Sequence, residues 1–114
     1  MRLLSVLALG ALLAACGGGD GERAAPPDRP VDSAGPVSDV TATSVRLDEA
    51  TGVVGPLAGR VDEDTVVLRR EGDDYDVAGI DDVRVGDRVE VWVDGPVAES
   101  SPVQAHAAVV VLAP

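Results

Sequence analysis

Valines and polar residues alternate between Val89 and Asp94. Val89, Val91 and Val93 interleave with Glu90, Trp92 and Asp94, a period of two that predicts a half-buried strand. β-Branched side chains suit a pleated surface and lose rotamer freedom in a helix, which strengthens that reading. The Val85-Gly86-Asp87-Arg88 stretch ahead of it predicts a turn: glycine supplies backbone freedom and aspartate hydrogen-bonds its own backbone. Asp94-Gly95-Pro96 ends the alternation, because proline brings no N–H to a ladder. The pattern puts Trp92 on the face opposite the valines. There it is expected to pack under a neighbouring loop as a second small core; the alternative is a ring that stacks on a ligand.

The other elements follow from the same logic. Residues 39–47, rich in Thr and Val, predict a first strand with Thr43, Val45 and Leu47 on one face. Residues 48–59 carry Gly52, Gly55, Pro56 and Gly59 and predict a loop, with room for a short pairing at Val53 and Val54. Residues 60–70 predict a hairpin that turns at Asp62-Glu63-Asp64. A turn at 71–74, a short strand at 75–80 and one helical turn at 81–85 come next. Residues 105–112 are continuously apolar and predict a central or closing strand. About five short strands with turns between them predict an all-β fold, a small five-stranded OB-like barrel, with an SH3-like barrel as second choice. Closure would remove the edges that a valine-rich sheet otherwise exposes.

The first 36 residues do not fit that domain. Residues 1–15 open with a basic Arg2 and continue as an apolar run of signal-peptide length, too short to span a bilayer. Leu13-Ala14-Ala15-Cys16 resembles the lipobox of bacterial lipoproteins. That resemblance implies cleavage between Ala15 and Cys16 and a diacylglycerol on the Cys16 thiol. An ordinary secretory signal with a chance cysteine is the alternative. Residues 16–36, with Pro26-Pro27, Pro30 and Pro36 among Gly, Ala and Asp, predict a flexible linker, since nothing in them buries enough apolar surface to offset ordering. The expected organisation is a leader at 1–15, a lipidated cysteine and linker at 16–36, and a barrel domain at 37–114. The expected location is the extracytoplasmic side of a cell membrane or outer membrane.

Composition narrows the core and the partners. The chain has 114 residues, no Phe, and a single Cys, so its core is built mainly from valine and no intrachain disulfide helps it. The net charge is −11, which repels phosphate backbones and excludes nucleic acid as an expected partner.

One string in the domain has a relative. Residues 85–97, VGDRVEVWVDGPV, followed by Glu99-Ser100-Ser101-Pro102-Val103-Gln104 and the small-residue run through Leu112, resemble the C-terminal signature of the YobA-like family, small uncharacterised bacterial lipoproteins with a domain of unknown function. The resemblance covers about thirty residues and implies a small β-barrel lipoprotein with no known activity. Ser101 stands where that family usually has an aromatic residue.

The residues that carry chemistry elsewhere are sparse here. His106, the one histidine, sits in an apolar strand, and no nucleophile elbow frames Ser100 or Ser101, so no catalytic set is expected. Acids at 62–64, at Asp73, Asp74 and Asp76, and at 81–82 read as solvated turn residues; they lack the spacing of a calcium loop, and weak cation binding is the alternative. No metal site and no cofactor are implied. The candidate binding surface is Glu90 with Trp92, together with the loop that carries Glu99, Ser100 and Gln104. That loop is equally suited to a structural role. The functional expectation is a non-enzymatic, membrane-tethered module that binds an envelope protein or a small ligand, or else an acidic cation-binding or structural envelope protein.

Overall fold

The computed structural model describes residues 25–113. The leader, the Ala15–Cys16 junction and the first part of the expected linker lie outside the described residues. Eight strands form one sheet: β1 (Ser33–Pro36), β2 (Asp39–Thr41), β3 (Ser44–Leu47), β4 (Leu57–Arg60), β5 (Val66–Glu71), β6 (Asp74–Ala78), β7 (Arg88–Ala98) and β8 (Val103–Ala113). A single 3₁₀ turn, Ile80–Asp82, joins β6 to the segment before β7.

β8 is the strand on which the sheet is built, as its continuous apolar run requires. One edge pairs antiparallel with β7, from Gln104 opposite Ala98 to Ala113 opposite Arg88. The other edge is shared. Residues Val103–His106 pair parallel with β4, and Val109–Leu112 pair parallel with β5. β4 continues to β3 and β3 to β2, while β7 pairs with β1 and β5 with β6.

The all-β expectation holds, and the details differ in four places. The sheet has eight strands rather than five and does not close into a barrel. The hairpin expected at 60–70 is absent: β4 and β5 run in the same direction along successive halves of β8. The turn at Asp62–Asp64 carries the chain past an irregularity in β8 between Ala107 and Val109, and the Thr65 hydroxyl donates to the Ala107 carbonyl at 2.7 Å in the gap. Both halves of β8 offer a buried apolar partner, and this outweighs local folding back. The expected first strand is itself a hairpin, β2 and β3, because threonine and serine side chains compete with the ladder. Thr41 Oγ1 accepts the Thr43 N–H at 3.2 Å and lies 2.9 Å from Ser44 Oγ. Finally, Ser33–Pro36, placed by sequence in the linker, is a strand on β7. Gly35 permits this: a side chain there would collide with the Glu49 carbonyl, which belongs to the segment that pairs back on Ala34.

Two cores lie on the two faces of the sheet. Val45, Leu47, Leu57, Val89, Val91, Ala105, Ala107 and Val110 are fully or nearly fully buried in the main one. Leu68, Trp92 and Val111 form the second, with Val31, Tyr75 and Val109 packed against it. Trp92 thus takes the position that alternation assigned to it.

Candidate functional site

The β7–β8 hairpin carries most of the residues singled out by sequence, and its two ends are physically different. In β7 the segment Val89–Val93 is buried at Val89, Val91, Trp92 and Val93, whereas every residue from Asp94 to Ala98 is exposed. The exposure continues through Glu99, Ser100 and Ser101 at the hairpin tip. Gly95 adopts φ 70°, and Pro96 follows it, opposite a register shift in β8 between Gln104 and His106. A left-handed glycine and a residue without an N–H bulge the strand away from regular pairing.

Glu90 and Trp92 do not join the tip. Trp92 is only 5 % exposed, and its indole N–H donates to the Arg29 carbonyl at 3.0 Å. That leaves no open ring face for a ligand, and packing is the role the structure gives it. Glu90 is held by an ion pair with Arg70, whose guanidinium lies 5.8 Å from the centre of the Tyr75 ring. Glu99 lies nine residues beyond Glu90 in the chain, past the bulge at Gly95 and the end of β7. The sequence-based surface therefore divides into a packed half and an exposed half. Glu99, Ser100 and Gln104 are all exposed in the second half, where Ser100 Oγ donates to the Pro102 carbonyl at 2.7 Å.

His106 guards the base of this exposed half. Its Nδ1 lies 2.6 Å from Asp94 Oδ1, and its Nε2 lies 2.9 Å from Asp62 Oδ1. One imidazole thus ties β8 to β7 on one side and to the turn after β4 on the other. Hydrogen bonds to Asp62 and then to Asp94 hold the ring's pKa above its ordinary value of 6.5. The same contact, followed by the Asp64 N–H, holds the Asp62 carboxyl below its ordinary 3.8. Both ring nitrogens face carboxylates, an arrangement that favours the protonated ring. The Ser100 hydroxyl is committed to the loop, as noted above, and is not paired with His106.

Two of the exposed turn acids, Asp62 and Asp82, also cap backbone N–H groups, and Asp87 makes the local backbone bond expected of it. Asp62 accepts the Asp64 N–H at 2.9 Å, Asp82 the Gly79 N–H at 2.9 Å, and Asp87 the Arg84 N–H at 2.9 Å. Such local side-chain-to-backbone bonds are what make aspartate a turn residue.

Sequence reasoning missed Arg29 and Asp32. Asp32 is 6 % exposed, and its Oδ2 accepts the Val93 N–H at 2.8 Å and an Arg29 Nη1 bond at 2.9 Å. Arg29 Nη2 in turn donates to the Val93 carbonyl at 2.9 Å. Together the two side chains present a donor and an acceptor to β7 where β1 stops, as a neighbouring strand would. The i, i+3 spacing of an Arg and an Asp in a proline-rich stretch gives no sign of this, because the partner is sixty residues away in the chain.

No curated protein and no solved structure matches the chain. A family model does, over residues 48–112, which takes in β4 to β7 and all of β8 but its last residue. The chain therefore belongs to the family described as "protein of unknown function (DUF3221)".

Proposed function

We propose that this chain is a membrane-anchored extracytoplasmic lipoprotein of the YobA-like kind that acts by binding and not by catalysis. The distal end of the β7–β8 hairpin is its contact surface for an envelope protein or a small ligand. The observation that carries this reading is the split burial of β7: its first half is core, and its second half, with the tip beyond it, is exposed from Asp94 to Ser101. The core makes no use of that surface, and polar loops held by a rigid sheet are where binding residues concentrate. Two acyl chains on Cys16 would hold the protein stably at a membrane, at ~0.8 kcal/mol per buried methylene. The capping roles of Asp62, Asp82 and Asp87 favour a structural use of those acids over cation binding.

The connectivity reads best as an OB-like strand order with interrupted strands, in a sheet that stays open. β1 and β2 are separated by Val37 and Ser38 alone. The Val37 N–H bonds to Asp87 at 2.8 Å, toward β7, and the Ser38 N–H bonds to Arg46 at 2.8 Å, toward β3. Counted as one bent strand, this segment pairs at its two ends with the two ends of the sheet. β4 and β5 count likewise as one strand along β8, which leaves five strands and an added β6.

Feeding cells a labelled fatty acid tests the anchor. Label and membrane fractionation are expected for the wild-type chain, and both are expected to vanish in Cys16→Ala. A photo-crosslinking residue at Ser100 tests the surface: it is expected to give a discrete adduct that the same probe at exposed Val53 does not. An unlabelled wild-type chain, or identical adducts at both positions, contradicts the reading.

A further inference from the structure

Among the described residues β6 pairs with β5 alone, so one of its edges carries no strand of this sheet. The two strands meet across a two-residue turn at Gly72, with φ 63°, and Asp73; Glu71 lies opposite Asp74, Arg70 opposite Tyr75, Arg69 opposite Asp76 and Leu68 opposite Val77. In a two-residue hairpin the residues flanking the turn exchange both hydrogen bonds, and bonded and non-bonded pairs alternate from there. The backbone N–H and C=O groups of Tyr75 and Val77 therefore point to the open edge. The side chains alternate as well, with Asp74 and Asp76 on one face and Tyr75 and Val77 on the other. Val77 is 75 % exposed, and Val66, which shares its face on β5, is 44 % exposed. Arg69, the cross-strand neighbour of Asp76, faces Asp82 instead, at 3.9 Å.

We infer that this edge is a docking site for an extended polypeptide segment in which basic residues alternate with apolar ones. Such a segment adds as a further strand. Its backbone meets the outward groups of Tyr75 and Val77, its lysines or arginines stand opposite Asp74 and Asp76, and its apolar side chains lie beside Tyr75 and Val77. The period of two in β6 requires the same period in the partner. A second copy of β6 is the wrong occupant, because antiparallel self-pairing sets aspartates against one another, and charged edges of this kind suppress self-association. The net charge of −11 draws the same cationic class of partner toward the molecule. This surface is separate from the hairpin tip proposed above and stands whether or not the tip binds anything.

The test is a titration of the full chain with the synthetic peptide KVKVKVK, with EVEVEVE as the charge-reversed control. Saturable binding of the basic peptide and none of the acidic one is expected. Asp74→Asn combined with Asp76→Asn is expected to weaken binding about three- to tenfold, the size of two cross-strand ion pairs. Val77→Pro removes an outward N–H that no strand among the described residues uses, so the fold is kept and binding falls to the level of the acidic control. A basic peptide N-methylated at alternate amides makes the same test without touching the protein and is expected not to bind. Equal binding of both peptides, undiminished binding to Val77→Pro, or undiminished binding of the N-methylated peptide overturns the inference.

Discussion

The outer edges of β7 and β6 are both places where strand pairing stops, and the molecule finishes them in different ways. On β7 the ladder with β1 ends at Ser33 opposite Val91, and the next outward residue, Val93, is served by the Asp32 carboxylate and the Arg29 guanidinium. Beyond it, Gly95 and Pro96 bulge the strand out of regular geometry. On β6 the backbone stays regular and only alternating aspartates guard the edge. One edge is satisfied from within; the other is left to repel copies of itself while still able to accept a different strand. A sheet edge is thus closed where the core lies directly behind it and held open where burial is slight.

Breaking the β7 side is expected to have the largest effects. Trp92→Ala removes the centre of the second core and the bond that holds Arg29, and a cost of ~3–5 kcal/mol is expected in a urea melt, typical of a buried tryptophan. Because total stability is only about 5–15 kcal/mol for a domain, this variant reports on folding rather than on ligand stacking. Asp32→Ala comes next. It leaves the Val93 N–H and the Arg29 guanidinium without their shared partner, at a cost of ~1–3 kcal/mol.

A smaller effect is expected from pH. The His106 pKa is raised, so its contribution is fully present below 6.5 and is lost as pH rises through the folded-state value. The Asp62 pKa is lowered, so its contribution is present above 3.8 and is lost as pH falls through its folded-state value. The clip is therefore strongest between these two limits, and thermal stability is expected to decline on the alkaline side in wild type but not in His106→Gln. A titration of the His106 ring signals by NMR is expected to move toward the ordinary value in Asp94→Asn. The smallest effect belongs to the β6 side: Val77→Thr, at a position 75 % exposed, is expected to change stability by no more than ~0.5 kcal/mol.

How much of this was legible in the sequence depends on the kind of signal. Alternation at Val89–Val93 placed Trp92 on its own face, and the apolar run of β8 marked it as the central strand, because burial on two faces leaves a direct imprint on residue type. β1 left no such imprint. Ser33, Ala34, Gly35 and Pro36 are small and lack a period of two, and they form a strand because β7 offers an edge and Gly35 allows close approach. The direction of β5 was equally hidden. A turn at Asp62–Asp64 looks the same whether the chain folds back on itself or steps along a third strand, and only β8 decides between them. At the candidate site, the exposed Glu99–Gln104 loop was visible as a polar break between two strands, and the packing of Trp92 was expected, whereas the segment around Arg29 that covers the ring was hidden because it reads as linker.

Amide hydrogen exchange on the isotopically labelled chain tests the contrast between the two edges most directly. The Val93 amide, bonded to a buried carboxylate, is expected to exchange as slowly as those of the main core, while the Tyr75 and Val77 amides exchange at the rate of exposed loops. A fast Val93 amide, or protected amides at Tyr75 and Val77 in the unliganded protein, would contradict the account.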